Sequence, residues 1–293
     1  FTNNRARAYA SLSFGHMNSV DSPKSSIIQG YNNKIYSSSY GLNTILNGRS
    51  NQIITGAYST VINGYGNFTN SDFHLTVGKS NIINNSSYGF TFGKYNFNDA
   101  PYGFLVGKEN VNSGNTSQNK IFGFYNKIYT LQPGESSNSS VIESGIRNTI
   151  IDSKYSSINN GIRNLIYNGS YNFLGTGIQN SGTSQFTTVL NGTGNTANGN
   201  FMLIGSGILN KNFTASSIFT TILNGSGNTI SSKNSGSFIQ TSSYASIFGG
   251  LHGHVLYNFA TIINGKNNYA HGLYSFVCNG YRNYTNSISA SHT

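Results

Sequence analysis

Two apolar positions return along this chain in a frame set by glycine. The third residue before Gly15, Gly30, Gly48, Gly64, Gly78, Gly93, Gly107, Gly123, Gly145, Gly161, Gly177, Gly192, Gly207, Gly225, Gly250, Gly265 and Gly280 is Leu, Ile, Val or Phe, with Lys120 the single break. Sixteen of these seventeen glycines have Asn three residues later, and two residues beyond the Asn comes a weaker apolar column. That column runs Val20, Ile35, Ile53, Ile83, Ile128, Ile150, Ile166, Ala197, Ile230 and Ala270, with Thr or Asn on several other turns. Twelve of the sixteen glycine intervals are 14 to 16 residues, and the others are 18, 18, 22 and 25.

β-Branched side chains dominate both columns, and Ser, Thr, Asn and Gly flank them, so each repeat predicts two short strands joined by tight bends. A repeat of packed helices needs roughly 33 residues or more, whereas a β-solenoid coil closes in far fewer. The period therefore predicts an all-β parallel β-roll or β-solenoid of about 17 coils of about 15 residues. Stacked at about 4.8 Å, these coils would make a rod on the order of 80 Å long. The expected organisation is one repeat domain over residues 1–293, with coils from about 12 to 285. The long glycine intervals predict looped-out insertions at about 129–140, around Leu131-Gln132-Pro133-Gly134, and at about 231–244. The chain begins and ends within the pattern, as a segment of a longer fibre would.

Stacking places equivalent residues in ladders. Gly30, Gly48, Gly64, Gly78 and Gly93 are expected where the bend needs positive φ or has no space for a Cβ. Asn33, Asn51, Asn67, Asn81 and Asn96 carry amides suited to bonding up the stack or to the turn backbone. With one or two aliphatic side chains per coil, a single chain has little interior for its area, and three chains side by side would supply the rest.

The segment Ser59-Thr60-Val61-Ile62-Asn63-Gly64-Tyr65-Gly66-Asn67 resembles the head repeats of YadA-like trimeric adhesins. Thr44-Ile45-Leu46-Asn47-Gly48-Arg49-Ser50-Asn51, Thr188-Val189-Leu190-Asn191-Gly192-Thr193-Gly194-Asn195 and Thr261-Ile262-Ile263-Asn264-Gly265-Lys266-Asn267-Asn268 repeat the phrase. The resemblance covers about Leu12 to Thr285. It implies a left-handed parallel β-roll, three chains to a rod, of the kind found on bacterial surface adhesins and on phage or viral fibres. The departures lie just before the glycine, where family heads usually carry Gly or Ala. Here Ile28, Leu46, Ile62, Leu190, Leu223, Ile263 and Cys278 appear, so a wider cross-section or a bulkier trimer contact is expected.

Charge is sparse but one-sided, with 17 basic against 7 acidic residues and a net charge of +10. Arg49, Lys79, Lys94, Lys108, Arg147, Arg163, Lys266 and Arg282 lie between the glycine and the Asn, and Lys34, Lys127 and Lys211 immediately follow the Asn. Eleven of the seventeen basic residues are thus expected on one edge. That edge either keeps tight bends solvated and resists edge-to-edge pairing, or forms ridges that bind anionic glycan, phosphate or lipid heads. The 20 Tyr and 19 Phe exceed one thin core. Tyr31, Tyr65, Tyr95, Tyr125 and Tyr281, near the turns, are expected to form outward stacks. No groove-reading helix signature points to nucleic acid.

Catalytic and cofactor motifs are absent from the chain. Asp99 and Glu109 are the acids that stacking on adjacent coils would bring together for glycosidic cleavage. His252 and His254 form the close histidine pair, but the sequence places no carboxylate or Cys beside it, so neither a metal nor a cofactor is expected. Cys278, the one cysteine, excludes an internal disulfide and is expected to fill packed space. The reading is a non-enzymatic extracellular fibre or adhesin on a cell or virion surface, self-associating as a homotrimer, with a host-surface or matrix glycan as candidate partner. The alternatives are a phage or viral tail fibre or spike that binds or cleaves host glycans, and a self-polymerising matrix filament.

Overall fold

A computed structural model describes residues 3–36, 41–132, 134–235, 238–240 and 242–285. The described residues form about 16 turns of an all-β parallel solenoid, without helix. They divide into two compact units, Phe1–Arg147 and Asn148–Thr293.

In the first unit, Ser26–Ile27 pairs in parallel with Thr44–Ile45, which pairs with Thr60–Tyr65, so that Ile27, Ile45 and Val61 stack in one column. Lys34–Ile35 and Gln52–Ile53 build the second column in the same way. Val20, Ile27, Ile35, Ile45, Ile53 and Val61 form one fully buried cluster. Each such side chain contributes about 1.5–3 kcal/mol by burial, which a two-residue strand could not supply alone. The second unit repeats the scheme with Ile150, Ile158, Ile166, Val189, Ile204, Ile222, Ile230 and Ile247 fully buried. The whole second column read from the sequence is buried.

The first column needs correction in the first unit. Leu12, Leu75, Phe90, Phe104 and Lys120 point outward; the inward residues are Ser13, Thr76, Thr91, Leu105 and Ile121. The cause is one residue. In Ile45-Leu46-Asn47-Gly48 two residues separate the inward side chain from the glycine, whereas in Thr76-Val77-Gly78 only one does. Side chains alternate along a strand, so a one-residue difference inverts the faces. The change is visible where Thr60–Tyr65 meets Leu75–Lys79: Ile62 pairs with Val77 and Tyr65 with Lys79, leaving an extra residue on the earlier strand. Asn63, at φ +47°, absorbs it as a bulge. Lys120 is therefore no defect, because it lies outward between Phe104 and Val141.

The interior of these inverted coils is partly polar. Thr69 and Thr76 hydroxyls lie 3.2 Å apart, and the Asn112 amide donates to Asn98 Oδ1 at 3.2 Å. The buried His74 ring contacts the Ser86 carbonyl at 3.2 Å and Thr91 Oγ1 at 3.0 Å. Burial, partly offset by the Ser86 contact, lowers the His74 pKa to about 4, so the ring is neutral.

At the glycine corner the Asn side chains do both things that the sequence suggested. The backbone N–H groups of Asn33, Asn51, Asn67, Asn81 and Asn96 donate to the side-chain oxygen of the preceding Asn, at 2.8–3.1 Å. Their Nδ2 groups reach forward to the glycine carbonyl of the next coil, as in Asn33 to Gly48 at 2.9 Å and Asn81 to Gly93 at 3.0 Å. Glycine is required because the coils approach so closely: a Cβ on Gly78, at φ +120°, would lie 1.9 Å from the Gly93 carbonyl oxygen. Gly30, Gly48 and Gly93 share this geometry, while at Gly64 an added Cβ would meet Asn67 Nδ2 at 2.1 Å.

The long glycine intervals leave the coil path. Asn115 Nδ2 donates to the Glu135 carbonyl at 2.9 Å, tying down a segment on which Leu131 is exposed. In the second unit Lys233–Ser235 and Phe238–Gln240 form an antiparallel hairpin outside the parallel sheet. Pro133 and residues 236, 237 and 241 lie outside the described residues.

Candidate functional site

Two residues after each corner glycine the backbone again takes a left-handed conformation, at Tyr95, Glu109, Tyr125, Arg147, Arg163 and Arg282 among others. The side chains ahead of this second bend reach solvent, and, except after Arg282, the Asn that follows it is buried. In the first unit that side of the corner carries cations with tyrosines packed against them. Arg49 lies 5.2 Å from the Tyr31 ring and 6.0 Å from that of Tyr65, and Lys79 lies 5.1 Å from Tyr65. Lys94 lies 4.8 Å from Tyr95. Tyr125 receives Lys108 at 5.4 Å and Arg147 at 5.7 Å. Such contacts contribute about 0.5–1 kcal/mol each at exposed sites and hold the flexible cation stems against the corner.

Lys79, Lys94 and Lys108 are direct partners on successive coils. Glu109 lies 3.3 Å from Lys108, and the Tyr125 hydroxyl accepts a 3.3 Å hydrogen bond from the same ammonium. These two groups, the Tyr125 bond first, hold the Lys108 pKa above the usual lysine value.

The edge is shorter than the sequence suggested. Lys34, Lys127 and Lys211 follow the buried Asn and open the strands Lys34–Ile35, Lys127–Tyr129 and Lys211–Ile222, whereas Lys79, Lys94 and Lys108 close strands before the bend, so the first three belong to the adjoining sheet face. Of the eight corner residues, Arg49, Lys79, Lys94, Lys108 and Arg147 are in the first unit, and Arg163, Lys266 and Arg282 in the second. Lys266 and Arg282 flank Tyr281 at 6.0 and 4.8 Å. The corner around Arg163 is apolar instead, with Ile162, Ile178 and Ile208 exposed.

Tyr65, Tyr95, Tyr125 and Tyr281 pair with cations rather than with one another, and Tyr31 stacks on His16 at 5.3 Å. The ring stacks occupy a different corner, which the sequence reading missed. Tyr58, Phe73, Tyr88 and Tyr102 stack at 4.6–5.4 Å in the first unit. Tyr155, Tyr171, Phe186, Phe201, Phe219, Tyr244, Phe259 and Tyr274 do so at 4.8–5.4 Å in the second. All twelve have φ between +50° and +60°, an uncommon conformation for bulky residues. The signal was an aromatic six residues before the glycine, or five in the inverted coils. Ring faces are consumed within each stack, leaving edges to solvent.

Asp99 and Glu109 are not brought together. Asp99 lies beside Asn84, with its pKa raised by burial, whereas Glu109 stands at the glycine corner next to Lys108. His252 is exposed on the corner beside Gly227, while His254 turns to Ser231 and His271. Among the described residues no group of three or more His, Cys, Asp or Glu is placed to hold a metal ion. Cys278 is exposed rather than packed, because it follows the inward Val277, which ends its strand, and so points outward. No helix among the described residues is long and apolar enough to cross a membrane. No protein-family model matches the chain, and no curated protein matches its sequence.

Proposed function

We propose that the chain belongs to a non-enzymatic extracellular fibre on a cell or virion surface, assembled from three copies, which attaches through the basic corner of its first unit to anionic glycans. The observation that carries this reading is the run Lys79, Lys94 and Lys108 on successive coils, with Glu109 the one carboxylate in ion-pair contact with it among the described residues. Like charges directly across a ladder oppose folding by up to about 1 kcal/mol, so the fold alone gives no reason to align them. A sulfated or carboxylated polysaccharide lying along the corner supplies the counter-charge, and the adjacent tyrosines offer amphipathic flanks to sugar rings.

Self-association is supported by a different face. Ile62, Val77, Phe92, Val106 and Phe122 form one continuous outward ladder of apolar side chains. Phe92 is 47 % exposed, and Ile28, on the same face, 50 %. A third copy of the same pitch can cover such a face as well as a second, and three in-register copies close without leaving an open edge.

Retention on immobilised sulfated glycan tests the attachment. The wild type should elute at a salt concentration that falls sharply in the triple variant Lys79→Glu, Lys94→Glu, Lys108→Glu; unchanged elution overturns the assignment. Solution mass tests the assembly: three chains are expected, and a monomer or an open polymer would exclude it.

A further inference from the structure

The second unit brings together two histidines seventeen residues apart in sequence. His254 pairs across the ladder with Tyr269, and His271 follows the buried Ala270 on the same outward side. His254 Nδ1 and His271 Nε2 face each other at 3.0 Å, with the rings inclined at 81°. Each ring has a hydroxyl at its other nitrogen: Ser231 Oγ lies 3.1 Å from His254 Nε2, and the Tyr284 hydroxyl 3.3 Å from His271 Nδ1. The four side chains thus run across four successive coils.

We propose that His254 and His271 form a binding site for a divalent transition-metal ion of the Cu²⁺, Ni²⁺ or Zn²⁺ class, with water completing the coordination. Two metal–nitrogen bonds of about 2.05 Å meeting at an angle between square and tetrahedral place their nitrogens about 2.9–3.4 Å apart, and the observed 3.0 Å lies in that interval. Without an ion, one proton bridges the facing nitrogens. With an ion, the bridging proton is lost to solvent and the same ring takes one up at its outer nitrogen, so both neutral imidazoles carry their protons outward, where Ser231 Oγ and the Tyr284 hydroxyl accept them. A hydrogen-bond partner behind each ligating imidazole fixes its tautomer and raises its basicity, as second partners of metal-bound histidines do. The bound ion would clip together two coils at the point where the Asn ladder is interrupted, because Gly253 takes the Asn position there and has no amide to pass on.

The full chain, titrated with copper(II) or nickel(II) salt alone, should bind one ion per chain, copper more tightly than nickel. The copper spectrum should show hyperfine coupling to two nitrogens. His271→Gln should weaken binding by more than tenfold and Tyr284→Phe by about tenfold, whereas His252→Gln should leave it unchanged. Binding that survives His271→Gln, binding lost in His252→Gln, or no saturable binding overturns the site. Should His254→Gln alter the circular dichroism, His271→Gln and Tyr284→Phe, both on outward side chains, still decide the question.

Discussion

The first unit dresses its glycine corner with Arg49, Lys79, Lys94, Lys108 and Arg147 interleaved with tyrosines, whereas the second places Ile162, Ile178 and Ile208 there and extends its aromatic stack to eight rings at the other left-handed corner. Beneath these differences the backbone bonding is the same. Asn51 donates to Asn33 Oδ1 at 3.0 Å in the first unit, and Asn180 to Asn164 Oδ1 at 3.0 Å in the second. The coil is therefore set by its glycine, its Asn and its inward aliphatics, and the corner side chains vary without disturbing it. Five of the eight corner cations, the three successive lysines among them, lie in the first unit, and that concentration supports the proposed use of its corner.

If the shared corner is what folds both units, glycine substitution should damage them alike. Gly78→Ala and Gly177→Ala each put a methyl group about 2 Å from the next coil's carbonyl oxygen, at φ +120° and +126°. Each should cost at least about 3 kcal/mol, from backbone strain plus displacement of the neighbouring coil. Urea unfolding monitored by amide exchange in each unit measures this. A cost below about 1 kcal/mol in either unit would show that the corner is not the common element.

Acid should separate the units. The folded-state pKa of His74 is about 4 against 6.5 unfolded. Between these values the unfolded chain binds a proton that the folded chain does not, so stability falls as pH drops from 6.5 towards 4, by about 3 kcal/mol in total. Amide protection should fail first around Thr69–Thr91 of the first unit, and His74→Gln should remove that pH dependence. His254 in the second unit shifts in the same direction, again through burial. Equal acid sensitivity in wild type and His74→Gln would count against the buried neutral ring.

Much of this architecture was legible because the period is short and the residues that enforce it are chemically narrow: a glycine with no space for a Cβ, an Asn that both donates and accepts, and an inward β-branched side chain. The face inversion was not. Leu75-Thr76-Val77 and Phe90-Thr91-Phe92 are apolar at the outward positions and polar inside, so hydropathy pointed to the wrong parity, and only Lys120 hinted at it. The aromatic corner escaped because left-handed φ argues against large rings; stacking between coils offsets that cost, and stacking is invisible within one repeat. His254 and His271 belong to different coils and meet only through the ladder register. The basic corner is recognisable residue by residue, but Lys34, Lys127 and Lys211 fall outside it, because they open strands after the buried Asn whereas Lys79, Lys94 and Lys108 close strands before it.

The aromatic stacks sharpen the comparison at a smaller scale. Phe201 lies between Phe186 and Phe219, with centroids at 4.8 and 4.9 Å. Phe201→Ala removes both ring contacts and keeps the left-handed Cβ cost, so thermal unfolding should report a loss of about 1–2 kcal/mol. Gln118 holds the corresponding left-handed position in the first unit, one coil beyond Tyr102. Gln118→Phe should extend that stack and gain up to about 1 kcal/mol; a loss there would mean that the two corners differ in shape as well as in content.

The smallest effect discriminates best between a corner kept for folding and one kept for binding. Lys94 is flanked on the ladder by Lys79 and Lys108, and its own ring contact is to Tyr95 at 4.8 Å. Replacing it with Gln removes two like-charge neighbours and one exposed cation–π contact, terms of opposite sign and a few tenths of a kcal/mol each. Repulsion from two neighbours should prevail at low salt, so Lys94→Gln should raise stability by about 0.3 kcal/mol, and added salt should erase the gain. The same variant should elute earlier from sulfated glycan. A residue whose removal helps folding and harms retention is there for the ligand; if stability falls with retention unchanged, the lysine ladder serves the coil, and the contrast between the two units loses its functional meaning.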